Sequence, residues 1–190
     1  MYLEAKTRNF ISVAFFVIQF GIIFALISTG KLDYIRDVTF ITVIAAVYIF
    51  LEVKYSISVS NYIRVCLVLV ILVHEVGGKI FELYLRSAMF DKYLHIFGIY
   101  SLVLFAYAVL QQFMGISFKS SLNKFIFLTL VGISLGAIFE ILEFMSDIII
   151  QPKLPNQKDL TDTNLDLIAD CAGALIAAFH VAIMPLTQRR

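Results

Sequence analysis

A chain of 190 residues has the length of one ordinary domain, but 61% of it is hydrophobic and its mean hydropathy is +0.91, against roughly 45–50% apolar usage in soluble domains. A net charge of +1 without any long basic run excludes the electrostatic footprint of a nucleic-acid binder. The two cysteines, Cys66 and Cys171, lie in apolar runs without CxxC or Cys/His spacing and read as small buried hydrophobes.

Lipid is therefore the main solvent, and membrane lipids are the first expected partners. A helix needs about 20 mainly apolar residues to cross the hydrocarbon core. Six windows approach that length, at about 10–28, 34–53, 62–84, 93–111, 125–150 and 165–186. Lys6 and Arg8 ahead of the first could open a signal peptide. The apolar run behind them exceeds the roughly 7–15 residues of such a segment, and Ser28-Thr29-Gly30 lacks a small-x-small cleavage pattern, so a retained helix is expected. The second and third windows are the shortest in apolar content. Backbone groups in lipid must be satisfied within the segment, so each window is read as a helix.

The connections are short. Only Gln151 to Asn164, with Pro152, Pro155 and Asn156, has loop chemistry of its own. No internal repeat is evident. The expectation is an all-α membrane protein, residues 1–190 forming a single polytopic transmembrane domain, one bundle of about six helices. An even number of spans puts both termini on one side. Eight basic residues fall there (Lys6, Arg8, Lys54, Arg64, Lys119, Lys124, Arg189 and Arg190) against seven opposite (Lys31, Arg36, Lys79, Arg86, Lys92, Lys153 and Lys158). The charges nearest the termini favour a cytoplasmic location for them in the cell membrane.

Ionisable groups inside a span cost about 2.5–3.5 kcal/mol each at the helix centre. The third span ends near His74 and Glu75; the fourth opens with Asp91 and His95; the fifth carries Glu140, Glu143 and Asp147; the sixth opens with Asp162, Asp166 and Asp170. At 3.6 residues per turn, Asp91 and His95 share a face. Glu140, Glu143 and Asp147 occupy a narrow arc, and Asp162, Asp166 and Asp170 form a stripe. The alternation of spans sends all four sets toward one side, the outer leaflet if the termini are cytoplasmic. Asp162 or Asp166 could instead cap the sixth helix, and Asp91 the fourth. Glu75 with Lys79, and Glu82 with Arg86, could neutralise each other at i, i+4. Gly132 and Gly136 form a GxxxG suited to close helix packing. His180, without acidic neighbours, reads as structural.

Carboxylates with imidazole suit a divalent metal ion of unspecified identity. On that reading Asp91, His95, Asp162 and Asp166 hold the ion, while Glu140 or Glu143 serves as base for water. His74, Glu75, Asp147 and Asp170 are secondary candidates. The ligand would be lipid-linked or amphiphilic, and an enzyme of this kind would be a metal-assisted membrane hydrolase. The same carboxylates also suit a proton- or cation-coupled transporter or channel. A structural or partner-binding protein with an internal hydrogen-bonded network is the third reading. Oligomeric state is not readable.

Three blocks carry a family resemblance: Asp91 to Gly98 (DKYLHIFG), Gly136 to Phe144 (GAIFEILEF), and Asp162 to Asp166 (DTNLD) with Gly173 and Ala174. They resemble the VanZ-like bacterial membrane proteins and, more closely, the uncharacterised inner-membrane family typified by YjdF. The likeness covers the fourth to sixth spans, and Phe144 stands where the family more often has Trp. It implies Asp91, His95, Glu140, Glu143, Asp162 and Asp166 as the matching polar positions. VanZ-like proteins are associated with resistance to lipid-modified glycopeptide antibiotics; the YjdF group implies no activity.

Overall fold

The computed structural model describes residues 2–152 and 155–184, with side chains from residue 5 onward. Lys153, Arg189 and Arg190, used in the charge balance, and the last two residues of the sixth span lie outside the described residues. Among the described residues there is no strand, and five helices are long and apolar enough to cross a membrane. The chain divides into two compact units, Met1–Arg86 and Ser87–Arg190.

In the first unit, α1 (Tyr2–Ser28) leads through a 3-10 turn (Leu32–Tyr34) into α2 (Ile35–Lys54). The third expected span begins as α3 (Asn61–Leu72), whose first turn is capped by the Ser60 hydroxyl accepting from Ile63 N. It then widens into a π-helical stretch, Val73–Ile80, followed by the short α4 (Leu83–Arg86). The wider turn changes which side chains share a face. Glu75 and Lys79 therefore find their closest partners elsewhere: Lys79 lies 3.4 Å from Asp37, whereas Glu75 lies 2.7 Å from the Gln19 carboxamide. Glu82 does lie near Arg86, at 3.6 Å, and closer to Lys31, at 2.7 Å. Lys31 also donates to the carbonyl of Ile80 at 2.9 Å, satisfying an end of the π-helical stretch. Arg64 and Glu52 form a buried two-pronged ion pair at 2.7 and 2.8 Å. Ile22, Leu26 and Val38 supply the apolar core.

The second unit comprises α5 (Phe90–Met114), α6 (Ser121–Ile150) and α7 (Leu160–Ile183). Each starts a few residues before its apolar window, because a helix's first turn tolerates polar residues, and in α6 and α7 a side chain caps it. Ser120 accepts from Asn123 N at 3.1 Å, and Asp159 accepts from Asp162 N at 2.9 Å. The cap of α7 is thus Asp159 rather than Asp162 or Asp166, and no side chain caps α5. Its extended backbone just before the helix aims the Asp159 carboxylate at the open N–H groups, leaving the later aspartates for other partners. Gly115, at φ +59°, ends α5 in the left-handed conformation that glycine adopts without strain.

Packing within this unit centres on α7, which lies against both α5 and α6. Its buried positions include Ala169, Gly173, Ala174, Ala177 and Ala178, side chains small enough to bring backbones close. A Cβ at Gly132 would meet Ala174 and Val103, one at Gly136 would meet Asp170, and one at Gly173 would meet the carbonyl of Ile96. Large apolar side chains such as Phe139, Ile141, Leu142 and Ile149 point outward, as suits a lipid-facing surface.

Gly173→Ala should lower stability by about 1–3 kcal/mol, because backbone rather than a pliable side chain fills the space a Cβ needs. Gly21→Ala, where a Cβ meets nothing within 4 Å, should leave stability unchanged or raised. Thermal unfolding of the two variants in one detergent checks the contrast.

Candidate functional site

Matching contacts rise together along α5 and α7, from Lys92 with Asp162 to His95 with Asp170 and Tyr100 with His180, so these helices run parallel. α6 runs against them, Gly136 facing Asp170 and Gly132 facing Ala174. The starts of α5 and α7 therefore meet the last turns of α6. This places Asp91, Lys92, His95, Glu140, Asp162, Asp166 and Asp170 at one end of the unit. At 1.5 Å per residue, Asp170 and Glu140 lie about 15 Å inside their helix ends.

The Lys92 ammonium sits among three aspartates. It lies 2.6 Å from Asp162 Oδ1, 2.7 Å from either oxygen of Asp166 and 3.4 Å from Asp91 Oδ2. It donates to Asp166 Oδ2, while Oδ1 receives no hydrogen bond. Asp162 also accepts from the Lys158 backbone at 3.3 Å. One buried ammonium thus joins the first turn of α5 to the first two turns of α7.

Next along α5, the two faces of His95 meet different surroundings. Nδ1 lies 3.0 Å from Asp170 Oδ1 and 3.8 Å from Glu140 Oε1. Nε2 lies 3.7 Å from both Asp91 Oδ1 and Asp166 Oδ1. The Phe139 ring meets the imidazole edge to face, with centroids 5.5 Å apart. Glu140 is tied to the loop after α6 by Gln157, whose Nε2 donates at 2.9 Å to both its carbonyl and its Oε2. Glu140 Oε1 and Asp170 Oδ2 are buried without a hydrogen-bond donor, whereas Asp166 Oδ1 meets the Lys92 ammonium at 2.7 Å as an ion pair. Such atoms are rare and each calls for an explanation.

Among the described residues, two overlapping sets of groups have the spacing to hold a metal ion: Asp91 with His95 and Asp166, and His95 with Glu140 and Asp170. Of the residues singled out from sequence, the second unit brings together Asp91, His95, Glu140, Asp162, Asp166 and Asp170. Glu143 is half-buried on the same helix as Glu140 and belongs to neither set. Asp147 instead organises the following loop, accepting from Asn156 N, Asn156 Nδ2 and Gln157 N at 2.7–2.9 Å. His74 and Glu75 belong to the first unit, where His74 Nδ1 contacts the Tyr84 hydroxyl at 2.6 Å.

Sequence reasoning missed Lys92, Gln157 and Tyr100. Lys92 had a usable signal, because it lies three residues before His95 and so near its helix face. Gln157 had none, since a loop reaching back over α6 leaves no periodic trace. Tyr100 stacks on His180 and contacts its Nδ1 at 2.7 Å, giving that histidine the partner its sequence neighbours do not supply.

Residues 10–186 match the family model described as Predicted membrane protein (DUF2238). A curated protein of Thermotoga maritima, described as uncharacterized, is 32% identical over 109 residues, covering 57% of this chain and 55% of that protein. The chain spans about half the length of that relative. No solved structure matches.

Lys92→Met should strand Asp162 and Asp166 without their ammonium and lower stability by about 3–5 kcal/mol, the scale for breaking one side of a buried ion pair. Lys158→Met, whose side chain is 49% exposed and 3.7 Å from Asp162, should cost less than about 1 kcal/mol. Unfolding in chelator-treated detergent solution measures both.

Proposed function

We propose, for a chain that belongs to the DUF2238 family of predicted membrane proteins, that this multi-pass membrane protein binds a divalent cation between Asp91, His95 and Asp166. The ion is presented to the anionic head of a lipid-linked or amphiphilic ligand.

The observation that carries this reading is the two-sided placement of His95. With the ring neutral and its Nδ1–H donated to Asp170 across the 3.0 Å contact, the Nε2 lone pair is turned toward Asp91 and Asp166. Asp91 Oδ1 and Asp166 Oδ1 each stand 3.7 Å from that lone pair. Lys92 already lies 2.7 Å from Asp166 Oδ1 and 3.4 Å from Asp91 Oδ2, and a cation among the three acceptors would offset the repulsion that one ammonium leaves. With bonds of about 2.0–2.2 Å, ligands on one metal stand roughly 3–3.5 Å apart, close to this spacing. A carboxylate behind the ligating imidazole is a recurrent metal-site arrangement, because it orients the ring and strengthens its lone pair.

Asp162, taken from sequence as a fourth ligand, belongs on this reading to Lys92. The ammonium occupies part of the charge field of Asp91 and Asp166, so cation entry shifts it toward Asp162. The Asp91 side chain is 13% exposed, and that narrow side is where a ligand head would approach. Outward apolar residues nearby, among them Tyr93, Leu142 and Leu165, suit the tail of an amphiphile. In a hydrolytic version, Glu140 or Glu143 is the base toward water. The likeness to VanZ-like and YjdF-type proteins belongs with this proposal, because its motif blocks are the ones that build the cluster. So does the placement of the site toward the extracytoplasmic face, with cytoplasmic termini.

Elemental analysis of the purified protein should find one divalent ion per chain, reduced to background in both His95→Gln and Asp166→Asn. A cation at one hundred times its Kd should stabilise the protein by about 2.7 kcal/mol. Protein that carries no stoichiometric metal and melts identically with chelator and with added divalent cations would sink the proposal.

A further inference from the structure

We infer that Glu75, in the first unit, is a proton-binding site whose acid hydroxyl donates to the carboxamide oxygen of Gln19. Both residues are fully buried, and they join α1 to the π-helical stretch through their 2.7 Å contact. The other end of the Gln19 carboxamide lies 3.1 Å from Thr42 Oγ1 on α2.

Counting hydrogens assigns the proton. Thr42 has one hydroxyl hydrogen, and the 2.7 Å contact from its Oγ1 to the Val38 carbonyl, the usual bond back along a helix, uses it. Toward Gln19 the threonine then offers only a lone pair. The two ends of a carboxamide have the same shape, so the hydrogen-bond network decides which is oxygen and which is nitrogen. The end facing Thr42 must be the NH2 group, and the end facing Glu75 the oxygen. The distances allow this assignment, since 3.1 Å lies in the N–H···O range and 2.7 Å in the O–H···O range, and the count of hydrogens decides it. Two oxygens at that separation need a hydrogen between them, and Glu75 is the group that can supply it. A metal ion fits the gap poorly, because oxygens sharing one ion normally stand farther apart.

The surroundings favour the neutral acid. Glu75 Oε1 receives no hydrogen bond, a tolerable state for the carbonyl oxygen of an acid and a costly one for a carboxylate. Lys79 bears on Glu75 through its charge, but its contacts and those of the other nearby cations lie elsewhere. Lys79 lies against Asp37 of α2 at 3.4 Å, over the Tyr34 ring, and Lys31 lies against Glu82 at 2.7 Å. On α3, Arg64 is held by Glu52, with Cys66 and Tyr62 the other titratable groups. His74 faces Tyr84 of α4, beside Arg86, and Lys6 and Arg8 lie more than 10 residues before Gln19 on α1. Losing the proton would put a charge among Ile22, Leu26 and Val76 and turn the Gln19 contact repulsive, loosening α1 from the π-helical stretch. The site thus couples proton occupancy to the packing of the first unit, through the π-helical geometry that functional sites often use.

The folded protein on this account holds a proton that an exposed glutamate releases at neutral pH, so stability is greatest at low pH and falls as pH rises. Glu75→Gln imitates the neutral acid, since its NH2 donates to the same oxygen. Infrared difference spectra of wild type against Glu75→Gln at neutral pH should show a protonated carboxylic C=O band in wild type that shifts in heavy water. The fall in melting temperature between acid and neutral pH should be smaller in Glu75→Gln than in wild type. Gln19→Leu should move the acid band to higher frequency by removing its acceptor. A difference spectrum containing only carboxylate bands, or identical melting profiles from acid to neutral pH for wild type and Glu75→Gln, would overturn the inference even if Gln19→Leu fails to fold.

Discussion

A carboxylate among hydrocarbon needs a positive charge or a donor at hydrogen-bonding distance, and in the second unit Lys92 and His95 are the groups around which α5, α6 and α7 close. Lys92 brings the start of α5 onto α7 through Asp162 and Asp166. One turn further, His95 continues the same junction through Asp170 and faces α6 at Glu140. These contacts require close helices, which the glycine and alanine positions of α6 and α7 permit. The polar cluster and the tight packing therefore depend on each other. Gly136 faces the Asp170 side chain that the cluster uses, so one position serves both.

The first unit meets the same constraint differently. Its buried acid, Glu75, faces a carboxamide instead of an ammonium, while Glu52 takes a two-pronged arginine. Arginine suits that place because its planar fork satisfies both carboxylate oxygens. Arg64 is thus engaged within the protein.

Much of the helix pattern was legible because apolar length is a strong signal in lipid. The shared faces of Asp91 with His95 and of Asp162 with Asp166 and Asp170 followed from the 3.6-residue repeat. The third span was harder. Val73–Ile80 has the composition of an ordinary helix end, and a wider turn does not announce itself in composition, so the expected pairing of Glu75 with Lys79 failed. The cap of α7 was misplaced because three aspartates compete for that position within eight residues, and backbone conformation rather than residue type selects Asp159. Lys92 was visible but was counted as a topological charge. Its role depends on contacts across about 70 residues of sequence, beyond the reach of local periodicity.

The central claim is that the outward nitrogen of His95 and the carboxylates of Asp91 and Asp166 share one cation. Magnetic resonance of the protein loaded with Mn2+ and labelled with nitrogen isotope in histidine tests it directly. The account predicts hyperfine coupling from one imidazole nitrogen, lost in His95→Gln and retained in His180→Gln. A bound-ion spectrum without nitrogen coupling, or one that His95→Gln leaves unchanged, would contradict it.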